Sequence, residues 1–128
     1  PVLTLETELI YVKKMPANAA ISYGHTYHTK EGEWIGTLPI GYADGLPRSL
    51  KGLEVLVNGQ KAPIVGNLAM DQMMISLPEE LPVGTVVTII GQQGQYENTL
   101  EDVAQHVSLA PWVVATGLQE RLMRVIVD

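Results

Sequence analysis

The sequence predicts a mainly β domain, an antiparallel Greek-key-like barrel or sandwich with one or two short helices. Three observations carry this. Short runs of β-branched and aliphatic residues recur along the chain, punctuated by glycine and proline. Asn58–Gly59 sits between two apolar runs, as a type I′ hairpin turn requires, because both central residues take positive φ. Only late in the chain, at Leu100–Val107, do apolar residues fall at helical spacing.

Taken in order, Leu5–Lys14 reads as a first strand and Met15–Pro16–Ala17–Asn18 breaks it. Ala19–Tyr23 is a short second strand ended by Gly24. Thr26–Glu33 is a polar loop or hairpin with Gly32 at its turn. Trp34–Ile40 is an apolar strand. Pro39 within it removes a ladder donor, which predicts an edge or a bulge there. Gly41–Gly52 reads as a long loop. Leu53–Val57 and Gln60–Val65 form the hairpin around Asn58–Gly59. Gly66–Asp71 is a second glycine-led loop, Gln72–Leu77 a strand, and Pro78–Gly84 a polar connection. Thr85–Ile90 is a buried strand closed by Gly91, and Gln92–Asn98 a polar loop. Thr99 is placed to cap a helix over Leu100–Val107, with Glu101 and Asp102 in its first turn. Ala110–Thr116 forms a further helical turn stopped by Gly117, and Arg121–Val127 is a last strand. That gives about seven short strands, enough for a barrel or sandwich.

The chain has 128 residues, which suits a single domain over 1–128 with its own core. Hydrophobic residues make up 46% and charged residues 17%, a globular rather than a disordered balance. The formal net charge of −6 argues against nucleic acid and anionic membrane as partners. There is no cysteine, hence no disulfide framework or thiolate metal site, which fits a reducing compartment. No apolar run reaches the roughly 18 residues of a membrane helix. PVLTLETEL lacks the basic start of a signal peptide. It begins without Met and in mid-pattern, the expectation for a piece of a longer protein.

Three separated motifs bear on function. SYG stands at Ser22–Tyr23–Gly24, WIGTLPIGYADG runs from Trp34 to Gly45, and PIVGNLAMDQ runs from Pro63 to Gln72. Glycine beside tyrosine allows sharp turns or close approach of backbone to a ligand, and the phenol puts a polar tip on a rigid ring. In wording and order these motifs resemble the C-terminal domain of the alanine racemases, fold-type III enzymes that use pyridoxal phosphate (PLP). The resemblance covers nearly the whole chain. It implies a mostly β domain that follows a (β/α)₈ barrel, which this sequence lacks.

The resemblance also implies roles. A racemase removes a proton from one face of a carbon and returns one on the other, most simply with two bases. In the family one is the lysine that holds PLP, on the barrel domain; the other is the tyrosine of SYG, supplied by the partner subunit. Tyr23 matches that position. A free phenol titrates near 10 and needs a nearby cation or donor to act as a base at neutral pH. Tyr42 matches a tyrosine lining the site entrance, and Arg48 an arginine of the entrance corridor. Met70 matches a methionine whose backbone N–H reaches the substrate carboxylate, with Asp71 shaping the same loop. Without the motifs these would read as a strand-end tyrosine, a loop tyrosine, a solvated arginine and a tight turn with a core-filling methionine. Asp44 reads as a loop-holding carboxylate that bonds nearby backbone.

The sequence departs from the family at two places. Asn67 stands where many members carry arginine. Glu120 stands, before Arg121 and Arg124, where some carry a tyrosine that reaches the cofactor phosphate. None of Lys13, Lys14, Lys30, Lys51 and Lys61 lies in the context of the PLP lysine, and the resemblance implies that the cofactor is bound mainly by the barrel domain. His25, His28 and His106 do not assemble a metal set and read as solvated or capping. The function implied is a cytoplasmic, homodimeric PLP enzyme interconverting L- and D-alanine for peptidoglycan, with the isolated domain inactive. Alternatives are a serine or broad-spectrum racemase domain, or a stand-alone β-barrel binding module.

Overall fold

A computed structural model describes residues 2–21, 27–118 and 124–127. Its strands in chain order are β1 (Val2–Glu8), β2 (Tyr11–Met15), β3 (Ala20–Ile21), β4 (Tyr27–His28), β5 (Glu33–Leu38), β6 (Glu54–Val57), β7 (Gln60–Val65), β8 (Met73–Leu77), β9 (Val86–Gln93), β10 (Tyr96–Asn98) and β11 (Arg124–Val127). Two helices, α1 (Leu100–Val107) and α2 (Pro111–Gly117), come late. Among the described residues all the strand pairs are antiparallel.

The main sheet runs β11-β1-β9-β6-β7-β8-β5-β2, with β10 added on β9, and β3 with β4 forms a separate ribbon. The path has ends at β11 and β2, so the expected barrel is not closed among the described residues. It still wraps. β1 and β2 lie near opposite ends of the path, yet only Leu9 and Ile10 separate them. Leu9 N–H donates to Thr85 O, ahead of β9, and Ile10 N–H to Thr37 O on β5, each at 3.0 Å. The single strand expected over Leu5–Lys14 is therefore two. The chain steps from one flank of the sheet to the other at Leu9, which packs over Gly36, where β5 has no side chain to obstruct it.

One core fills the wrapped sheet. Leu5, Leu38, Val55, Ile64, Ile75 and Ile89 come from six strands and are at most 2% exposed. Val103, Ala104 and Val107 of α1 and Val114 of α2 close it. Burying a side chain of this size contributes roughly 1.5–3 kcal/mol. Alternation sets the strand faces; β8 is buried at Met73, Ile75 and Leu77 and half-buried between.

Local signals resolve as their chemistry predicts. Asn58 and Gly59 take φ of 51° and 71°. Thr99 Oγ1 accepts from Asp102 N–H at 3.0 Å while Asp102 Oδ2 accepts from Thr99 N–H at 2.9 Å, a reciprocal cap at the start of α1. Other expectations need correcting. Pro39, expected within a strand at an edge or a bulge, falls just past β5, which lies between β8 and β2. Gly91 does not close β9, which continues to Gln93. Tyr96–Asn98, expected as loop, pairs back on β9. Gly117 is the last residue of α2 rather than its stop. Arg121 lies outside the described residues, and the final strand begins at Arg124.

Candidate functional site

The long loop after β5 is two 3-10 turns, Tyr42–Asp44 and Arg48–Leu50. The first is set by its own residues. Asp44 is fully buried and its Oδ2 accepts from Gly41 N–H at 2.9 Å, the loop-holding role expected of it. The turn is then laced to the loop ahead of β8. Tyr42 N–H donates to Ala69 O at 3.1 Å, Ala43 N–H to Met70 O at 2.9 Å, and Ala69 N–H to Gln72 O at 2.9 Å. The two backbones come so close that a Cβ at position 41 would lie 2.7 Å from both Met70 O and Gln72 N. Only glycine fits there. Gly45, at φ 95°, ends the turn against Gly117 and Leu118, so the end of α2 braces the loop from behind.

The paired loops form an open cavity of about 580 Å³, lined by Tyr42, Arg48, Asn67, Leu68, Ala69, Met70 and Asp71. Four residues singled out from the sequence, Tyr42, Arg48, Met70 and Asp71, thus converge although they are spread over two loops. The Arg48 guanidinium lies 4.2 Å from the Tyr42 ring centroid, so this exposed arginine is stacked rather than loose in solvent. Lys51 Nζ donates to Asn67 Oδ1 at 3.4 Å, which brings a second cation to the rim beside the position where the family often has arginine. Met70 is 58% exposed, has its carbonyl pinned by Ala43, and has its N–H without an acceptor among the described residues. A fixed backbone donor beside stacked cationic and aromatic groups can orient a small carboxylate.

Tyr23 and Glu120 lie outside the described residues, as do Ser22, Gly24 and His25. The stretch 22–26 joins β3 to β4 in sequence. Of the other histidines, His28 is exposed on β4, and His106 Nε2 lies 2.9 Å from Lys51 O at the end of α1. No group of three His, Asp or Glu side chains comes together as a metal set among the described residues.

Sequence reasoning missed a second cluster, at the base of the β3–β4 ribbon. Glu33 Oε2 accepts from Tyr27 Oη and from Ser76 Oγ, both at 2.6 Å, and Oε1 accepts from Lys30 N–H at 2.8 Å. Burial works against the Glu33 charge, but the hydrogen bonds from Ser76, Tyr27 and Lys30 N–H outweigh it and hold the carboxyl below the usual glutamate range. Burial and then the bond to Glu33 push the Tyr27 phenol up to about 12. The only sequence signal was a tyrosine and a glutamate flanking a polar turn, which surface hairpins also show.

Residues 2–126 match the profile of the alanine racemase C-terminal domain. The chain is 48% identical over 128 residues to a lysine racemase of Oenococcus oeni, covering all of this chain and 34% of that protein. It is 48% identical over 123 residues to an alanine racemase of Latilactobacillus sakei, covering 96% of this chain and 32% of that protein. The crystal structure of alanine racemase from Oenococcus oeni superposes with a TM-score of 0.93 at 48% identity, over 97% of this chain and 34% of that one. The chain thus spans about a third of the length of the curated relatives it matches. The match runs through both laced loops, and the chain belongs to the alanine racemase C-terminal domain family.

Proposed function

We propose that this chain is the C-terminal domain of a PLP-dependent enzyme that interconverts L- and D-alanine, working as a homodimer in the cytoplasm and supplying D-alanine for peptidoglycan. The observation that carries this is the laced cavity itself, in which Met70 presents a pinned backbone donor beside Tyr42 and Arg48. In this reading the Met70 N–H holds the substrate carboxylate, and the Tyr42 ring, backed by the Arg48 guanidinium, walls the entrance. Asp71 keeps the donor loop in shape. Tyr23 takes a proton from, or gives one to, one face of the substrate Cα, reaching the site of the partner subunit. The residues of this cavity suit the substrate end of a site. Among the described residues no lysine lines it, and the PLP lysine is assigned to an N-terminal barrel domain of the full-length protein. PLP, when bound, supplies the electron sink that makes the Cα proton acidic enough to move. The absence of cysteine agrees with a reducing compartment.

The similarity to a lysine racemase favours one second reading, a racemase that also takes larger amino acids. Two cationic groups at the rim, Arg48 and Lys51, weigh against a cationic substrate side chain.

The test is made on the full-length protein with PLP, offering alanine, serine and lysine, alongside Tyr23→Phe. Alanine is expected to give the highest kcat/KM. Tyr23→Phe should cost roughly 10²–10⁴-fold in racemisation, the usual worth of a positioned acid or base. Solvent deuterium should still enter Cα from the enantiomer facing the PLP lysine and not from the one facing Tyr23. Near-wild-type exchange from both enantiomers would make Tyr23 a packing residue, and faster turnover of lysine than of alanine would replace the substrate assignment.

A further inference from the structure

Tyr23 belongs to the stretch that joins β3 to β4, and those strands share only two residue pairs, Ala20 with His28 and Ile21 with Tyr27. So short a ribbon is not stable by itself. Its open end is tied by Thr29, whose Oγ1 donates to Pro16 O at 2.6 Å and accepts from Ala19 N–H at 3.1 Å. Those bonds lie at the Ala20–His28 end of the ribbon. At the Ile21–Tyr27 end, the two residues pack with Ile35, Val65 and Met74, contacts that fix depth but not angle. The directional link to the main sheet is Glu33. One carboxylate oxygen accepts from Tyr27 on the ribbon and Ser76 on β8, and the other is held by Lys30 N–H. All three contacts are short and charge-assisted, and those from Tyr27 and Ser76 are partly buried, the kind that fixes orientation as well as distance.

We propose that Glu33 is a positioning residue for proton transfer, clamping Tyr27 to Ser76 and so fixing the frame from which Tyr23 acts. This rests on the reading of Tyr23 as the second base. A base acts only within hydrogen-bond reach of the carbon it serves, so a ribbon free to pivot loses rate while the substrate cavity, built by other loops, stays intact. The effect should fall on one face of the substrate and not on its binding.

The experiment uses full-length racemase carrying Tyr27→Phe, Glu33→Asp and Ser76→Ala, with Tyr23→Phe in parallel. Tyr27→Phe keeps the ring in its packing and removes only the hydroxyl. Glu33→Asp keeps the charge but withdraws it by one methylene, and it carries the test if Tyr27→Phe folds poorly. Both should lower Cα deuterium exchange on the Tyr23 face roughly ten- to hundredfold, the scale of a displacement near 1 Å. Exchange on the lysine face and KM should stay near wild type. Ser76→Ala, which leaves the Tyr27 contact, should show the same one-sided pattern more weakly. In the cofactor-free protein, amide exchange across residues 20–28 should speed up in Tyr27→Phe. Equal loss on both faces, or no loss on either, overturns the positioning role. One-sided loss in Tyr23→Phe with wild-type behaviour in Tyr27→Phe and Glu33→Asp removes that role and leaves the base assignment standing. Wild-type exchange in Tyr23→Phe removes the base assignment and the positioning role with it.

Discussion

β5 has a hydrogen-bonded loop region at each end, and the two are held by different chemistry. Past its C-terminal end, Gly41–Gly45 is laced to residues 69–72 through backbone N–H and C=O groups. At its N-terminal end, Glu33 ties the β3–β4 ribbon to β8 through side chains. Backbone lacing does not depend on which side chains are present, except where the backbones touch and a Cβ cannot fit. Side-chain ties depend on each hydroxyl and on the ionisation of one carboxylate. The first arrangement suits a rigid binding wall. The second suits a part whose aim is set by one substitutable contact.

The sharpest way to break the comparison is at Gly41. Gly41→Ala puts a methyl group onto Met70 O and Gln72 N, and neither can yield without dragging its loop. Overpacking of this kind costs about 1–3 kcal/mol. The expected result is a clear fall in Tm in thermal unfolding. With Met70 as the proposed carboxylate donor, KM for alanine in the full-length protein should rise as its loop moves. A variant with wild-type Tm and KM would show that the lacing is looser than its geometry.

The contrast also explains what the sequence could reveal. The Asn58–Gly59 hairpin, the Thr99 cap and the Leu100–Val107 helix are decided within a few residues, and local chemistry named all three. The candidate site residues Tyr42, Arg48, Met70 and Asp71 are legible only through motif wording. No local rule brings the loop after β5 against the loop before β8. The break at Leu9–Ile10 was hidden because an apolar run does not say where a sheet wraps. The Glu33 clamp was invisible for the same reason, since Ser76 lies 43 residues from it along the chain. The missing donor of Pro39 points to an edge or a bulge only if the strand runs through it, and the strand ends at Leu38.

A smaller effect is expected at Arg48. Its stacking on Tyr42 is exposed, and such a cation–π contact is worth about 0.5–1 kcal/mol. Arg48→Ala should therefore raise KM a few-fold and leave kcat and Tm nearly unchanged. Arg48→Lys should recover only part of the loss, because an ammonium does not stack as a planar guanidinium does. A large fall in kcat from Arg48→Ala would move this residue from the rim to the chemistry and blur the division between wall and aim.

The smallest effect is a titration, and its sign follows from the clamp. The Tyr27 phenol is pushed up to about 12, by burial first and then by Glu33. A group that binds its proton more tightly when folded adds stability that is complete below its unfolded pKa, near 10 for tyrosine. That stability is lost as pH rises from about 10 through about 12. Glu33 behaves oppositely. Its carboxyl is held low, so its share is present above the ordinary glutamate range and is lost as pH falls below it. Ultraviolet titration of phenolate should show one late-ionising tyrosine that Tyr27→Phe removes. Unfolding followed between pH 10 and 12 should be less pH-dependent in that variant. If the late tyrosine persists in Tyr27→Phe, the hydroxyl–carboxylate contact does not hold in solution, and the ribbon must be held by packing alone.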